Sequence, residues 1–249
     1  MAVYKSKGIV LRSIRYGEAD RIVDLYTSDT GMVSAIAKGI RRTKSRFGAR
    51  LEPLSCVDFM AYQGRTLDTI TQVEVLKSFH EVREDLDRFQ AAGGLVETVR
   101  ALSGGDEPDR RVFNLLYRGL EGLEERDSDY DALQAAFSLK LSLLAGYALQ
   151  LDSCMDCDSP IYGGTDEHRY YAPDLGGELC AGCREGVGEA FPLPPGTVES
   201  LKELVARPLR EAEVSDRLRE AVKRVVRSHV FAHAPGSSVF KAAGSRRPA

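Results

Sequence analysis

The chain has 249 residues, with 34 Lys and Arg against 37 Asp and Glu, a net charge of −3 and 43% hydrophobic residues. That apolar content fills a packed core and excludes a disordered chain. The start, Met1 to Gly8, lacks the basic-then-apolar profile of a secretion leader, and the most apolar run, Ala132 to Leu149, is broken by Gln134, Ser138, Lys140 and Ser142. The expectation is therefore a cytoplasmic protein without a membrane span.

Residues 1–80 read as β. Apolar residues alternate or run in short blocks over Gly8–Ile14, Arg21–Thr27, Met32–Ala37, Cys56–Tyr62 and Thr69–Leu76, with Gly-bearing turns between most of them. Five short strands with such turns predict a small closed or nearly closed barrel of the OB type, because an open sheet of this size exposes edges that pair with other chains. Thirteen Lys and Arg against eight Asp and Glu make this part basic, whereas residues 81–234 carry 18 against 29. The overall acidic balance thus hides a local anion-binding end.

The basic charge concentrates between the third and fourth predicted strands. Lys38, Arg41, Arg42, Lys44, Arg46 and Arg50 place six cations and no acid in 13 residues. Such a run suits phosphates, Phe47 within it is a candidate to stack on a base, and Arg12, Arg15 and Arg21 extend the patch. Tyr16, Tyr26 and Tyr62 are weaker stacking candidates, since tyrosines in a barrel more often serve its packing. The competing reading of the run is a solvated loop without a ligand.

From about residue 81 the period becomes helical. Val82, Leu86, Phe89, Gly93, Val96 and Val99 form one apolar stripe, with a break or kink expected at Gly93-Gly94. A second helix is expected from Asp109 to about Arg126, and a third from Tyr130 to Leu149, apolar nearly all round and hence central. After Pro195 a short helix runs to Ala206, and Ser215 caps a last one reaching Phe231. His229 and His233 are expected to cap its C-terminus with partial positive charge. Residues 235–249 read as a flexible tail.

Between the helices, residues 150–186 have no helical period. Cys154-Met-Asp-Cys157 and Cys180-Ala-Gly-Cys183 form two C-x2-C knuckles 22 residues apart. Two such pairs close a tetrahedron of thiolates around one structural Zn²⁺ and leave no position for water or substrate. Disulfides are the alternative, and His168 a substitute ligand. Cys56, alternating with apolar neighbours, reads as a small core residue. The chain has no phosphate loop, nucleophile elbow or H-E-x-x-H motif, so no catalytic residues are expected.

The N-terminal motifs, Gly8-Ile-Val-Leu11, Tyr16-Gly17-Glu18-Ala-Asp20-Arg-Ile22, Leu25-Tyr-Thr27, Gly31, Ala37-Lys38-Gly39-Ile-Arg41-Arg42, Lys44-Ser45 and Leu51-Glu-Pro53, resemble the start of the bacterial RecO family. The resemblance covers the whole chain, and many members of that family carry the four-Cys insertion. It implies an α+β protein: an OB-fold DNA-binding domain over 1–80, then a helical domain over 81–234. It implies a mediator of DNA repair and recombination that binds single- and double-stranded DNA and anneals complementary strands. Its implied partners are RecR, the acidic C-terminal tail of the single-strand binding protein and, indirectly, RecA. The DNA role would fall on Lys38, Arg41, Arg42, Lys44 and Arg46, and the last helix, with Arg217, Arg219, Lys223, Arg224 and Arg227, is a candidate for the acidic tail. The alternative class is a protein-interaction adaptor with a zinc ribbon and little DNA affinity.

Overall fold

The computed structural model describes residues 2–41, 45, 47–103, 108–127, 129–161 and 169–234. They form two compact units, Met1–Val96 with Ser103–Glu125 and Glu97–Leu102 with Arg126–Ala249.

The first unit is built on β1 (Val3–Tyr16), β2 (Asp20–Thr27), β3 (Gly31–Ala37), β4 (Cys56–Tyr62) and β5 (Asp68–Lys77), closed in the order β1-β2-β3-β5-β4. All pairs are antiparallel except the short parallel join of β3 to β5 that closes the barrel. Inward side chains Val10, Val23, Leu25, Val33, Ala35, Ala37, Val57, Phe59, Ala61 and Ile70 fill the interior. The predicted strands are all present, and β1 is the longest: its first half pairs with β4, its second half with β2, and a register shift between Val10 and Arg12 lies in between. The polar start of β1 concealed this extension, because Lys5 and Lys7 point outward while Tyr4 packs on the core.

The helical stripe expected after residue 81 is reset. A short α1 (His80–Glu84) buries Val82, and Asp85 then turns extended and begins α2 (Leu86–Leu102). The Asp85 carboxylate accepts the Arg88 N–H at 2.8 Å, an N-cap to the third residue of the new helix. The rotation of phase leaves Leu86 and Phe89 exposed and buries Ala91, Ala92, Leu95, Val96 and Val99, and the helix continues through Gly93-Gly94. α3 (Arg110–Glu125) packs within the barrel unit: the Tyr26 hydroxyl donates to the Asp109 carbonyl, and Lys77 reaches Glu124 at 2.8 Å.

The second unit contains α4 (Tyr130–Leu144), a three-stranded antiparallel sheet of β6 (Arg169–Ala172), β7 (Gly177–Leu179) and β8 (Phe191–Leu193) in the order β7-β6-β8, then α5 (Thr197–Ala206) and α6 (Asp216–His233). α4 is buried nearly all round, as its composition demands, and packs on α5 and α6. It ends five residues before the expected Leu149. Gly146 is left-handed (φ +87°), the Gly146 N–H bonds the Leu143 carbonyl at 3.2 Å, and the Tyr147 N–H bonds the Ser142 carbonyl at 2.8 Å. That pair of bonds is a Schellman stop. Among the described residues no helix is long and apolar enough to cross a membrane.

Candidate functional sites: a four-cysteine centre and a basic barrel end

The Sγ atoms of Cys154, Cys157, Cys180 and Cys183 lie within 4.8 Å of one another. A tight turn presents the first pair: the Cys154 N–H bonds the Ser159 carbonyl and the Asp158 N–H bonds the Cys154 carbonyl, both at 3.0 Å. The second pair follows β7. Gly177 opens that strand where a Cβ would sit 2.6 Å from the Met155 side chain and 2.8 Å from the Gln150 carbonyl, so only glycine lets the two knuckles approach. Cys157 and Cys180 sulfurs are 4.0 Å apart. A disulfide needs about 2.05 Å, whereas a tetrahedron with metal–sulfur bonds of about 2.3 Å has edges near 3.8 Å. The four thiols are free, and the set fits a zinc ion held by four thiolates; His168 lies outside the described residues.

The electrostatics agree. Burial pushes the Cys154 thiol up, but the N–H groups of Cys157, Cys180 and Asp156 overcome this and bring it down to about 6. The Ser159 hydroxyl and N–H lower Cys157. Cys183 goes the other way, raised by Asp156 and by the Cys180 and Cys157 sulfurs. Thiolates crowded at this spacing repel each other and call for a cation at their centre.

Around this centre, charge is matched internally. Glu178, fully buried between the knuckles, accepts from Arg169 at 2.7 Å, and Arg169 also reaches Glu199 on α5 at 3.1 Å. Burial raises the Glu178 carboxyl and Arg169 opposes that rise. His229 of α6 corrects a sequence expectation. Its Nε2–H donates to the Tyr147 carbonyl and its Nδ1 accepts from the Tyr171 hydroxyl, both at 2.8 Å. A carbonyl only accepts, so the tautomer is fixed. Burial lowers this imidazole to about 4, which makes it a neutral core residue and not a charged cap. His233 does bond a terminal carbonyl, that of His229, at 2.8 Å. Cys56 is also inert, its thiol raised by burial to about 11.

The second site is the end of the barrel where the β1–β2 turn meets the segment after β3. The Arg41 N–H bonds the Ala19 carbonyl and its guanidinium donates to the Glu18 carbonyl, both at 3.0 Å. The Gly39 N–H donates to Asp20 at 2.7 Å. The motif around Tyr16–Asp20 and the motif around Ala37–Arg41 are therefore one structural junction.

Here Arg15 stands directly opposite Arg21 in the β1–β2 ladder. Like charges so placed repel. Arg21 is relieved by Glu52 at 3.4 Å and by the Ser13 hydroxyl at 3.2 Å. The side chains of Arg12, Arg15 and Lys38 are exposed and have no hydrogen-bond or ion-pair partner among the described residues, although the ladder sets Arg12 opposite Asp24. Arg50 is exposed too, whereas Arg42, Lys44 and Arg46 lie outside the described residues. Phe47 is not available to a base: at 1% exposure it belongs to the barrel core with Leu51 and Ile40. Tyr26 is likewise buried, while Tyr16 is 52% and Tyr62 44% exposed.

Residues 1–79 match the family model described as Recombination protein O N terminal, and residues 83–238 the one described as Recombination protein O C terminal. Over 96% of its length the chain is 60% identical to 95% of a protein of Rubrobacter xylanophilus named DNA repair protein RecO. A Thermobifida fusca protein of that name is 41% identical over 78% of each chain, and one of Alkaliphilus metalliredigens 32% identical over 92% of this chain and 93% of that one.

Proposed function

The chain belongs to the Recombination protein O family of DNA repair proteins, and on that premise we propose that it is a non-catalytic mediator that holds DNA at the end of its N-terminal barrel. The observation that carries this reading is the unmatched charge at the junction: of the opposed Arg15 and Arg21 only one has an acid, and Lys38 beside them has none among the described residues, while exposed Arg12 stands opposite Asp24 in the ladder. Phosphates of single- or double-stranded DNA neutralise such a cluster independently of sequence. Arg41 is held by backbone carbonyls in a fixed place and lends its remaining donors to the same surface; Arg42, Lys44 and Arg46 of the same basic run lie outside the described residues.

Residues 1–80 would thus be the DNA-binding domain, and residues 81–234 the helical body that carries one structural zinc ion on Cys154, Cys157, Cys180 and Cys183. Zinc there supplies folding energy to the 150–186 segment. The residues around it orient the knuckles: Arg169 holds Glu178, and Tyr171 and Tyr147 hold His229. As a mediator the protein would anneal complementary strands and, with RecR, help load RecA onto DNA coated by the single-strand binding protein, in the cytoplasm at the nucleoid. The test is an annealing assay on complementary strands coated by the cognate binding protein. Acceleration by the wild-type chain supports this reading. No acceleration, together with no retention of DNA, would leave the chain an adaptor.

A further inference from the structure

The turns at the two ends of β2 have different surroundings. The β1–β2 turn carries the basic junction. The β2–β3 turn, about 27 Å away along the eight residues of β2, borders a cavity of about 500 Å³. The walls of this cavity come from β1, the β2–β3 turn, β4 and the start of α3, all within the barrel unit. The Ser28 N–H donates to the Lys7 carbonyl at 3.0 Å and fixes the turn against β1.

Three cations and two carboxylates line the cavity, Lys5, Lys7 and Arg110 against Asp29 and Asp58. Both carboxylates are engaged. Asp29 accepts from the Ser28 hydroxyl at 2.7 Å, from Arg110 at 3.0 Å and from the Ser6 hydroxyl at 3.1 Å. These donors, Ser28 foremost, hold its carboxyl below the usual carboxylate range. Asp58 stands opposite Lys7 in the β1–β4 ladder, but its carboxylate bonds Lys5 at 3.0 Å. Two lysines thus share one acid, and the exposed Lys7 ammonium has no hydrogen-bond or ion-pair partner among the described residues. Arg110 is exposed too, and its bond to Asp29 leaves guanidinium donors over. Phe113 and Asn114 of α3 add an apolar ring and a carboxamide to the wall.

We propose that this cavity binds a compact phosphate ester, a small molecule of nucleotide size, with its phosphate on Lys7 and Arg110 and its organic part against Phe113 and Asn114. The site goes beyond the DNA reading and does not depend on it. A phosphate suits one free ammonium beside a guanidinium with spare donors, because charge-assisted bonds of this kind are the strong ones. The volume is that of a small-ligand cleft. A polynucleotide is the wrong occupant. Lys5 and Asp58 also border a groove of about 290 Å³ that continues to Glu74, and Asp58 and Glu74 stand opposite one another in the β4–β5 ladder. Those acids repel an extended polyanion and leave a compact one at the Lys7 end.

The experiment is calorimetric titration of the full chain with adenosine monophosphate, adenosine and inorganic phosphate, on wild type, Lys7→Ala, Lys7→Arg and Arg110→Ala, with single-strand binding followed in parallel by anisotropy. The nucleotide should bind wild type, bare phosphate more weakly and adenosine not at all. Each Ala variant should weaken nucleotide binding by about 10- to 150-fold, the range for one hydrogen bond to a charged group. Lys7→Arg should retain most of it, and single-strand affinity should stay unchanged throughout. No nucleotide binding by wild type, equal affinity for nucleotide and bare phosphate, or nucleotide binding that both Ala variants retain would overturn the site. Single-strand affinity that falls in step with nucleotide affinity would make the cavity part of a polynucleotide surface and overturn the compact ligand.

Discussion

The four-cysteine segment and the barrel end are both rich in charge, and they treat it oppositely. In the cysteine segment the buried charge is answered within the fold, Glu178 by Arg169 and Arg169 again by Glu199, and exposed Asp152 reaches Lys202 at 2.7 Å. The four thiols need only a dication to complete them. At the barrel end Arg21 is answered by Glu52, but its neighbour Arg15, with Lys38, has no acid among the described residues. A site closed on itself contributes to folding; a site with cations left over is built for something outside the chain.

Changes that open the closed site should have the largest effects. Cys154→Ser removes the buried thiol of the set and should take zinc from about one per chain to none, with the segment losing protection in hydrogen exchange. Zinc-free wild type with intact hydrogen-exchange protection would break the contrast. Next, Glu178→Ala leaves Arg169 buried without its main acid and should cost about 3–5 kcal/mol in denaturant unfolding, with DNA affinity unaltered. A drop in affinity larger than the drop in stability would couple the two sites.

His229 gives the contrast a pH signature. Its ring titrates near 4 when folded and near about 6.5 when unfolded. Between those values the unfolded chain binds the extra proton, so this contribution is intact above 6.5 and is lost as pH falls toward 4. The slope approaches about 1.4 kcal/mol per pH unit for one proton. The Cys154 and Cys157 thiols, lowered in the fold, titrate in the same direction, so the measurement is the difference between wild type and His229→Gln, whose curve should be flatter below pH 6.5. Equal slopes would contradict the neutral buried ring. A smaller change is expected from Tyr171→Phe, about 1 kcal/mol for one hydrogen bond, read as a shift in the unfolding midpoint.

Much of this was legible in the residues. Strand alternation and turn glycines specified the five-stranded barrel, and the spacing of Cys154, Cys157, Cys180 and Cys183 specified the metal-binding set, because both are local signals. What escaped depends on tertiary placement. Phe47 sits in a run of six cations, and nothing local says that its ring turns into the barrel. The helical stripe was continued across Asp85, where a cap resets its phase. The His229 network joins residues 58 and 82 positions away, beyond the reach of any helical pattern. The junction of Arg41 with Ala19 and Glu18 was visible as two motifs but not as one joined structure.

The central claim is that cations without acids at the barrel end exist to meet phosphates, and its most direct test is the salt dependence of single-strand binding. A variant with Arg12, Arg15 and Lys38 all changed to Ala should bind more weakly across sequences, and its log–log salt slope should shrink by about 2, or roughly 0.7 for each phosphate no longer neutralised. A triple variant with the affinity and slope of the wild type would contradict the claim.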